Sequence, residues 1–126
     1  MKTLRARLGN AGEREAETFL CRNGLSLVQR NYRCRGGEID LVMRDDNKKD
    51  TGTEVLVFVE VRLRGAGAHV NALDSVDGNK QRRLIMAARH FLMEQPQWSE
   101  HPCRFDVVAL DPSQDRLVWV PAAFEQ

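Results

Sequence analysis

No stretch of this chain approaches the roughly 20 consecutive apolar residues that a membrane helix needs. The basic residues near its start, Lys2, Arg5 and Arg7, have no apolar run behind them, so no signal peptide is expected. Cysteine is scarce. The three present, Cys21, Cys34 and Cys103, are odd in number and lack metal-ligand spacing, which suits idle thiols in a reducing cytoplasm. His69, His90 and His101 likewise share no ligand spacing, which argues against a zinc site. There is no glycine-rich phosphate loop, nucleophile elbow or catalytic triad. Internal repeats, low-complexity tracts and linkers are absent. An excess of charge is missing too: 19 basic residues face 18 acidic ones. Bulk charge therefore announces no nucleic-acid binder, and any basic footprint must be local.

What the chain has is enough apolar material for a core. Its 126 residues are 42% hydrophobic and 29% charged, which suits one soluble globular domain over residues 1–126. The centre of that domain is Val55 to Arg64, VLVFVEVRLR. Seven of its first nine residues are Val, Leu or Phe, the composition of a strand buried on both faces. Val55, Val57, Val59, Val61 and Leu63 share one face. Leu56, Phe58, Glu60, Arg62 and Arg64 share the other, which turns from apolar to charged at Glu60. A carboxylate carried into a core costs several kcal/mol unless it is paired or binds a cation. Glu60 and Arg62 therefore mark the lip of a site.

The remaining elements follow from periodicity and punctuation. Residues 1–9 read as a loose polar arm. A first helix is expected from Asn10, where Asn10 and Glu13 match a capping box. Its stripe is Ala16, Phe19 and Leu20, and Asn23-Gly24 stops it. Leu25 to Asn31 reads as a strand, Tyr32 to Gly37 as a basic turn carrying Arg33 and Arg35, and Glu38 to Met43 as a second strand. On that strand Ile39, Leu41 and Met43 share one face, and Glu38, Asp40 and Val42 the other. A polar loop, Arg44 to Thr53, returns the chain antiparallel into the central strand. Centred near Asp50, it sets Asp40 opposite Glu60. Residues 65–78 read as a mobile loop beside the site. A second helix runs from Asn79 to Glu94, with Leu84, Ala87, Ala88, Phe91 and Leu92 as its stripe and Pro96 as its stop. Arg104 to Leu110 and Arg116 to Val120 are two more strands around a turn at Asp111 to Asp115. The expected class is α/β, a mixed sheet of about five strands flanked by helices.

Three constellations carry chemistry. In the first, Asp40 and Glu60 on neighbouring strands offer hard oxygen ligands to Mg²⁺ or Mn²⁺, with the Val61 carbonyl between them as a third. Arg62 lies on the Glu60 face roughly 6.6 Å along the strand, placed to meet charge on a reacting phosphate. Glu13 is a fourth candidate. The competing account is a structural ion network, and for Glu13 simple helix capping. In the second, Lys80, Arg82 and Arg83 crowd the start of the second helix, against the local dipole preference. Such an end suits phosphate. Lys80 is the candidate kept, while Arg82 and Arg83 read as a solvated face. In the third, Arg104 and Asp106 share a strand face, and mutual pairing accounts for them.

The chain resembles the YraN-like family of small bacterial proteins. The resemblance rests on GERE at Gly12 to Glu15, NYRCRGGEIDLV at Asn31 to Val42, VFVEVRLR at Val57 to Arg64, Lys80, and RFDVV at Arg104 to Val108. That family is similar to the PD-(D/E)XK nucleases, near the archaeal Holliday-junction resolvases. The resemblance implies a restriction-endonuclease-like core and a Mg²⁺-dependent endonuclease site. Asp40 matches the motif aspartate, Glu60 the acidic residue of E-X-K, and Glu13 the glutamate of the first helix. Arg62 stands where the motif has lysine. Arginine stays charged and is a poor base, so this departure weakens catalysis more than binding. The implied partner is DNA, branched or single-stranded, and Lys80, Arg33, Arg35 and Arg64 are the residues expected to contact it. Some nucleases of the superfamily act as dimers, so a homodimer is compatible.

Three readings stay open on these residues. One is a metal-dependent endonuclease. Another is a nucleic-acid-binding module that kept the scaffold without turnover. The last, kept alive by the near-zero net charge, is a protein-interaction subunit.

Overall fold

The computed structural model describes residues 4–46, 52–63, 76–111 and 114–125, with side chains from Asn10 onward. Five strands form one sheet in the order β1-β2-β3-β4-β5: β1 Leu25–Cys34, β2 Gly37–Asp45, β3 Val55–Leu63, β4 Cys103–Asp111 and β5 Arg116–Phe124. Only the β3–β4 pair is parallel, so the sheet is mixed. The antiparallel neighbours are joined directly, whereas β3 reaches β4 through helix α2, Gly78–Glu94, and a 3-10 turn at Pro96–Trp98. Helix α1, Leu4–Arg22, precedes the sheet.

β3 occupies the middle and is buried on both faces, as its composition implies. Val57 and Val59 join Ala16 and Leu20 of α1 with Leu41, Met43, Val108 and Leu110. On the opposite face Leu56 and Phe58 join Leu84, Ala87, Ala88 and Phe91 of α2. The Phe58 ring meets Phe91 edge-on at 6.0 Å and stacks on Phe105 at 5.5 Å, the geometries aromatic quadrupoles favour. The protein is thus an α/β sandwich with one helix on each side of the sheet.

Several boundaries move. α1 begins at Leu4, so the expected arm is helical from there on, and residues 1–3 lie outside the described residues. Leu4 to Leu8 are strong helix formers, and a single Gly9 costs about 1 kcal/mol, too little to stop propagation. Asn10 is therefore interior and caps nothing. The stop is where expected: Gly24 takes φ +97°, open to glycine, after the Asn23 and Gly24 amides bond back to Leu20 and Cys21.

β1 does not end at Asn31. It continues to Cys34, and Cys34 pairs with Gly37, leaving Arg35-Gly36 as the hairpin tip. The reason is Tyr32, a strand-forming residue whose ring is buried edge-on against Phe91 at 5.2 Å. Its hydroxyl donates to Glu94 and lies 2.6 Å from His90 Nδ1. β2 also outruns its expected end at Met43, reaching Asp45 opposite Val55; residues 47–51 lie outside the described residues. β5 passes through Pro121 to Phe124 instead of ending at Val120. It is an edge strand, where a missing N–H is tolerated, and its partner is bulged between Phe105 and Val107.

The expected loop at 65–78 falls outside the described residues from 65 to 75. Its last three residues are not loose. Val76 is buried in the α2-side core, Asp77 caps α2 and Gly78 is the first helical residue, so the helix starts one residue earlier than Asn79.

Candidate functional site at the end of the central strands

The β2–β3 ladder has the register expected from its loop. The last pair is Leu41↔Val59, which sets Asp40 beside Glu60 one residue further. Beyond that pair the strands part, and the alternation along β2 breaks. Ile39 packs with Val42 in the α2-side core, instead of with Leu41 and Met43. β2 stays paired with β1 through Ile39↔Tyr32 and Glu38↔Arg33, and the Asp40 carboxylate reaches the β3 backbone instead. Its Oδ2 accepts the Val61 N–H at 2.8 Å. Glu60 is 4% exposed, a carboxylate embedded beside Phe58 at the end of the best strand of the fold.

Glu60 is incompletely partnered. Its Oε1 lies 3.3 Å from Arg62 Nη1 and 3.4 Å from Lys80 Nζ. Its Oε2 is buried without a hydrogen-bond partner among the described residues. Glu13, freed from capping by the longer helix, is half-buried and hydrogen-bonded to Asp40 and Asn31. Asn31 holds the left-handed conformation, φ +50°, which asparagine tolerates better than most residues. The sequence pattern alone assigns Asn31 no such role. Asparagine at the end of a polar strand segment was the available signal.

Three carboxylates thus come together from α1, β2 and β3. Burial, then the charge of Asp40, pushes Glu60 up to about 7. Burial, then Asp40 and Glu38, pushes Glu13 to about 7 as well. Asp40 is also raised, chiefly by burial, against the opposing pull of the Val61 amide and Lys80. When ionised, the three carboxylates outnumber the two cations at Glu60 (Arg62 and Lys80), and Asp40, half-buried, and Glu60, buried, are hard oxygen donors at the strand ends. Among the described residues no group of three or more His, Cys, Asp or Glu side chains is placed so that it could hold a metal ion.

The basic candidates divide. Lys80 turns from the helix end toward the acidic cluster, its Nζ 3.4 Å from Glu60 Oε1. That end is already served by Asp77, whose Oδ1 accepts the Lys80 N–H at 2.9 Å. Arg82 instead donates to Asn79. Arg33 pairs with Glu38 at 3.3 Å on the hairpin surface. Arg35 and Arg83 face a cavity of about 310 Å³ with Lys80 and Arg33. Arg83 is exposed, as its reading as a solvated face implies, and lies three residues from Lys80 on one side of the helix. Arg64 lies outside the described residues.

The third constellation is structural, as expected. Asp106, fully buried, takes Arg104 Nε at 3.0 Å, Trp119 Nε1 at 3.0 Å and the Ala122 amide at 3.0 Å. Arg104 also reaches Asp45 at 2.9 Å. Cys21, Cys34 and Cys103 are all free thiols. No helix among the described residues is long and apolar enough to cross a membrane.

Fold and site together define a mixed-sheet α/β domain with an acidic cluster where its two central strands part. A family model described as Uncharacterised protein family UPF0102 matches residues 12–110. The chain is 49% identical over 122 residues to the UPF0102 protein PputGB1_4524 of Pseudomonas putida strain GB-1, covering 94% of each chain. A UPF0102 protein of Ectopseudomonas mendocina is 48% identical over 119 residues, again covering 94% of each. One from Alcanivorax borkumensis is 45% identical over 119 residues, 92% of this chain and 90% of that one. The chain belongs to the UPF0102 family, the YraN-like family that its motifs resemble.

Proposed function

We propose that this protein is a Mg²⁺- or Mn²⁺-dependent endonuclease acting on DNA. The observation that carries the reading is Glu60: a buried carboxylate with one unpartnered oxygen, beside Asp40 and within reach of a lysine. A stable fold does not leave such a group half-satisfied without cause. The donor set fits a hard divalent cation, which is held by one or two carboxylates plus waters. Asp40 and Glu60 are the ligands of this proposal, with the Val61 carbonyl as a third.

When bound, the cation supplies charge neutralisation on the phosphate and a water acidic enough to attack it. The protein's own groups do the rest. The Val61 N–H fixes one Asp40 oxygen and so aims the other. Lys80 and Arg62 approach Glu60 from different elements, α2 and β3, and present cations to the developing charge on the phosphate. Glu13, pushed to about 7 beside Asp40, can hold or release a proton near neutrality. The arginine in the lysine position motivates the alternative of a binding module without turnover. Lys80 supports the active reading, because it brings a lysine ammonium to Glu60 from another part of the chain.

The test is cleavage of single-stranded, duplex, flapped and four-way DNA with Mg²⁺ or Mn²⁺. Cleavage of at least one form, lost in Asp40→Asn and in chelator, is expected. Salt-sensitive binding without cleavage would favour the binding module. Activity that survives in Asp40→Asn would defeat the endonuclease reading.

A further inference from the structure

The cavity of about 310 Å³ between the β1–β2 hairpin tip and α2 adjoins the acidic cluster, and Lys80 belongs to both. It is lined by Arg33, Arg35, Lys80 and Arg83 against a single carboxylate, Glu38. Two of these cations are already matched: Arg33 with Glu38, and Lys80 with Glu60. Among the described residues Arg35 and Arg83 have no ion-pair partner. They come from different elements, so they are not neighbours by local helical or strand spacing alone.

Close backbone approach holds them together. A Cβ on Gly37 would lie 2.5 Å from the Arg83 carbonyl oxygen, and one on Gly36 would lie 2.1 Å from Met86 Sδ. Gly37, without a side chain, lets the hairpin lie directly on the α2 backbone, while the Gly36 contact is with the flexible end of Met86. The contact fixes the Arg35 segment against the Arg83 turn of the helix. Two solvent-exposed arginines that line one cavity without an ion-pair partner among the described residues suit an anion with two charges and several oxygens better than one with a single charge. A terminal phosphate carries close to two charges and three free oxygens, whereas an internal phosphodiester carries one charge.

Resting on the endonuclease reading, we propose that this cavity receives the terminal phosphate of a nucleic-acid strand. The strand then leads from the cavity past Lys80 to the carboxylates, so scission falls close to a phosphorylated end. The substrate class is a strand with a terminal phosphomonoester.

The test measures binding of single-stranded oligonucleotides carrying a 5′-phosphate, a 3′-phosphate or only hydroxyl ends. It uses the full chain bearing Asp40→Asn in chelator, so no turnover enters. A phosphate at one end is expected to tighten binding about tenfold, and the arm that responds identifies which end is read. Arg35→Gln with Arg83→Gln should abolish that preference, while Arg14→Gln on the α1 side should keep it. Circular dichroism verifies folding of each variant, and inorganic phosphate competition gives a second readout if a variant is unstable. Equal affinity for all three ends overturns the proposal, as does a preference that survives the double substitution. The end preference is read without cleavage. If it is present while no DNA is cut, the endonuclease reading fails and the cavity assignment stands. If DNA is cut but ends are bound alike, the cavity assignment fails alone.

Discussion

Glu60→Gln should make the metal-free protein more stable above neutral pH. The Glu60 carboxyl sits at about 7, against 4.5 for the free group, chiefly because of burial. In the folded state it keeps a proton that the unfolded chain releases between those two values. The folded state therefore binds more protons in that window, and stability falls as pH rises through it. The contribution is fully present below pH 4.5 and gone above about 7. A displacement of this size corresponds to about 3 kcal/mol for one group, taken as an upper bound because Asp40 titrates with it. Glu13 adds to the same slope, but it is partly open to water and its share is screened. A glutamine keeps the shape and has no charge to desolvate. Urea unfolding in chelator at pH 5, 6, 7 and 8 is the assay. The parent should lose stability across this series, and Glu60→Gln should flatten much of the loss. Mg²⁺ or Mn²⁺ added at pH 8 should restore stability to the parent and not to the variant, because a ligand that binds only the folded state stabilises it. A parent profile that is level from pH 5 to 8, or a variant with the parent's slope, would refute the argument that burial and Asp40 strain this carboxylate.

Asp106→Ala should cost about 3–5 kcal/mol in thermal or urea unfolding, the range for stripping a buried charge of its partner. It strands Arg104, the Trp119 indole N–H and the Ala122 amide together. A loss below 1 kcal/mol would mean that water replaces the carboxylate. In the nuclease assay Lys80→Ala should lower kcat about 10²–10³-fold, the usual effect of removing one preorganised charge-stabilising group. Arg62→Ala should lower it less, since Arg62 is the more exposed of the two, 32% against 23%, and is the better solvated. The reverse order would return the catalytic cation to β3.

The readable parts of the fold were those whose signal is local. β3 could be seen from its composition, and the Asp40–Glu60 neighbourhood from the length of one loop, because antiparallel register follows from where a turn is centred. Boundaries set by long-range contacts were not readable. Tyr32 looked like part of a basic turn because Arg33 and Arg35 flank it. Only the Phe91 ring, fifty-nine residues away, makes it a core residue. Pro121 looked like a strand stop, but an edge position opposite a bulge makes it harmless. Asn10 and Glu13 fit a capping pattern that helix formers upstream make void.

The same distinction decides how the candidate site should be judged. Within β3, Arg62 occupies the lysine position of the motif, and on that evidence the chain looks depleted for catalysis. A charge acts through distance and exposure, not through its place in a motif. Lys80 and Arg62 stand at 3.4 and 3.3 Å from the same Glu60 oxygen, and Lys80 is the more sheltered from water. What brings Lys80 there is the packing of α2 across Phe58 and Leu56, held by the Leu84, Ala87 and Phe91 stripe. The stripe was legible, but the angle at which it crosses the sheet was not. A crossing angle depends on which ridges meet which side chains. The near-zero net charge conceals a local pattern for a related reason. The cations at the hairpin tip and the carboxylates between the strands cancel in the sum, yet the fold sets them side by side on opposite walls of Lys80. A phosphate ester and a divalent cation need that separation of charge over a short distance, and neither needs a chain that is basic overall.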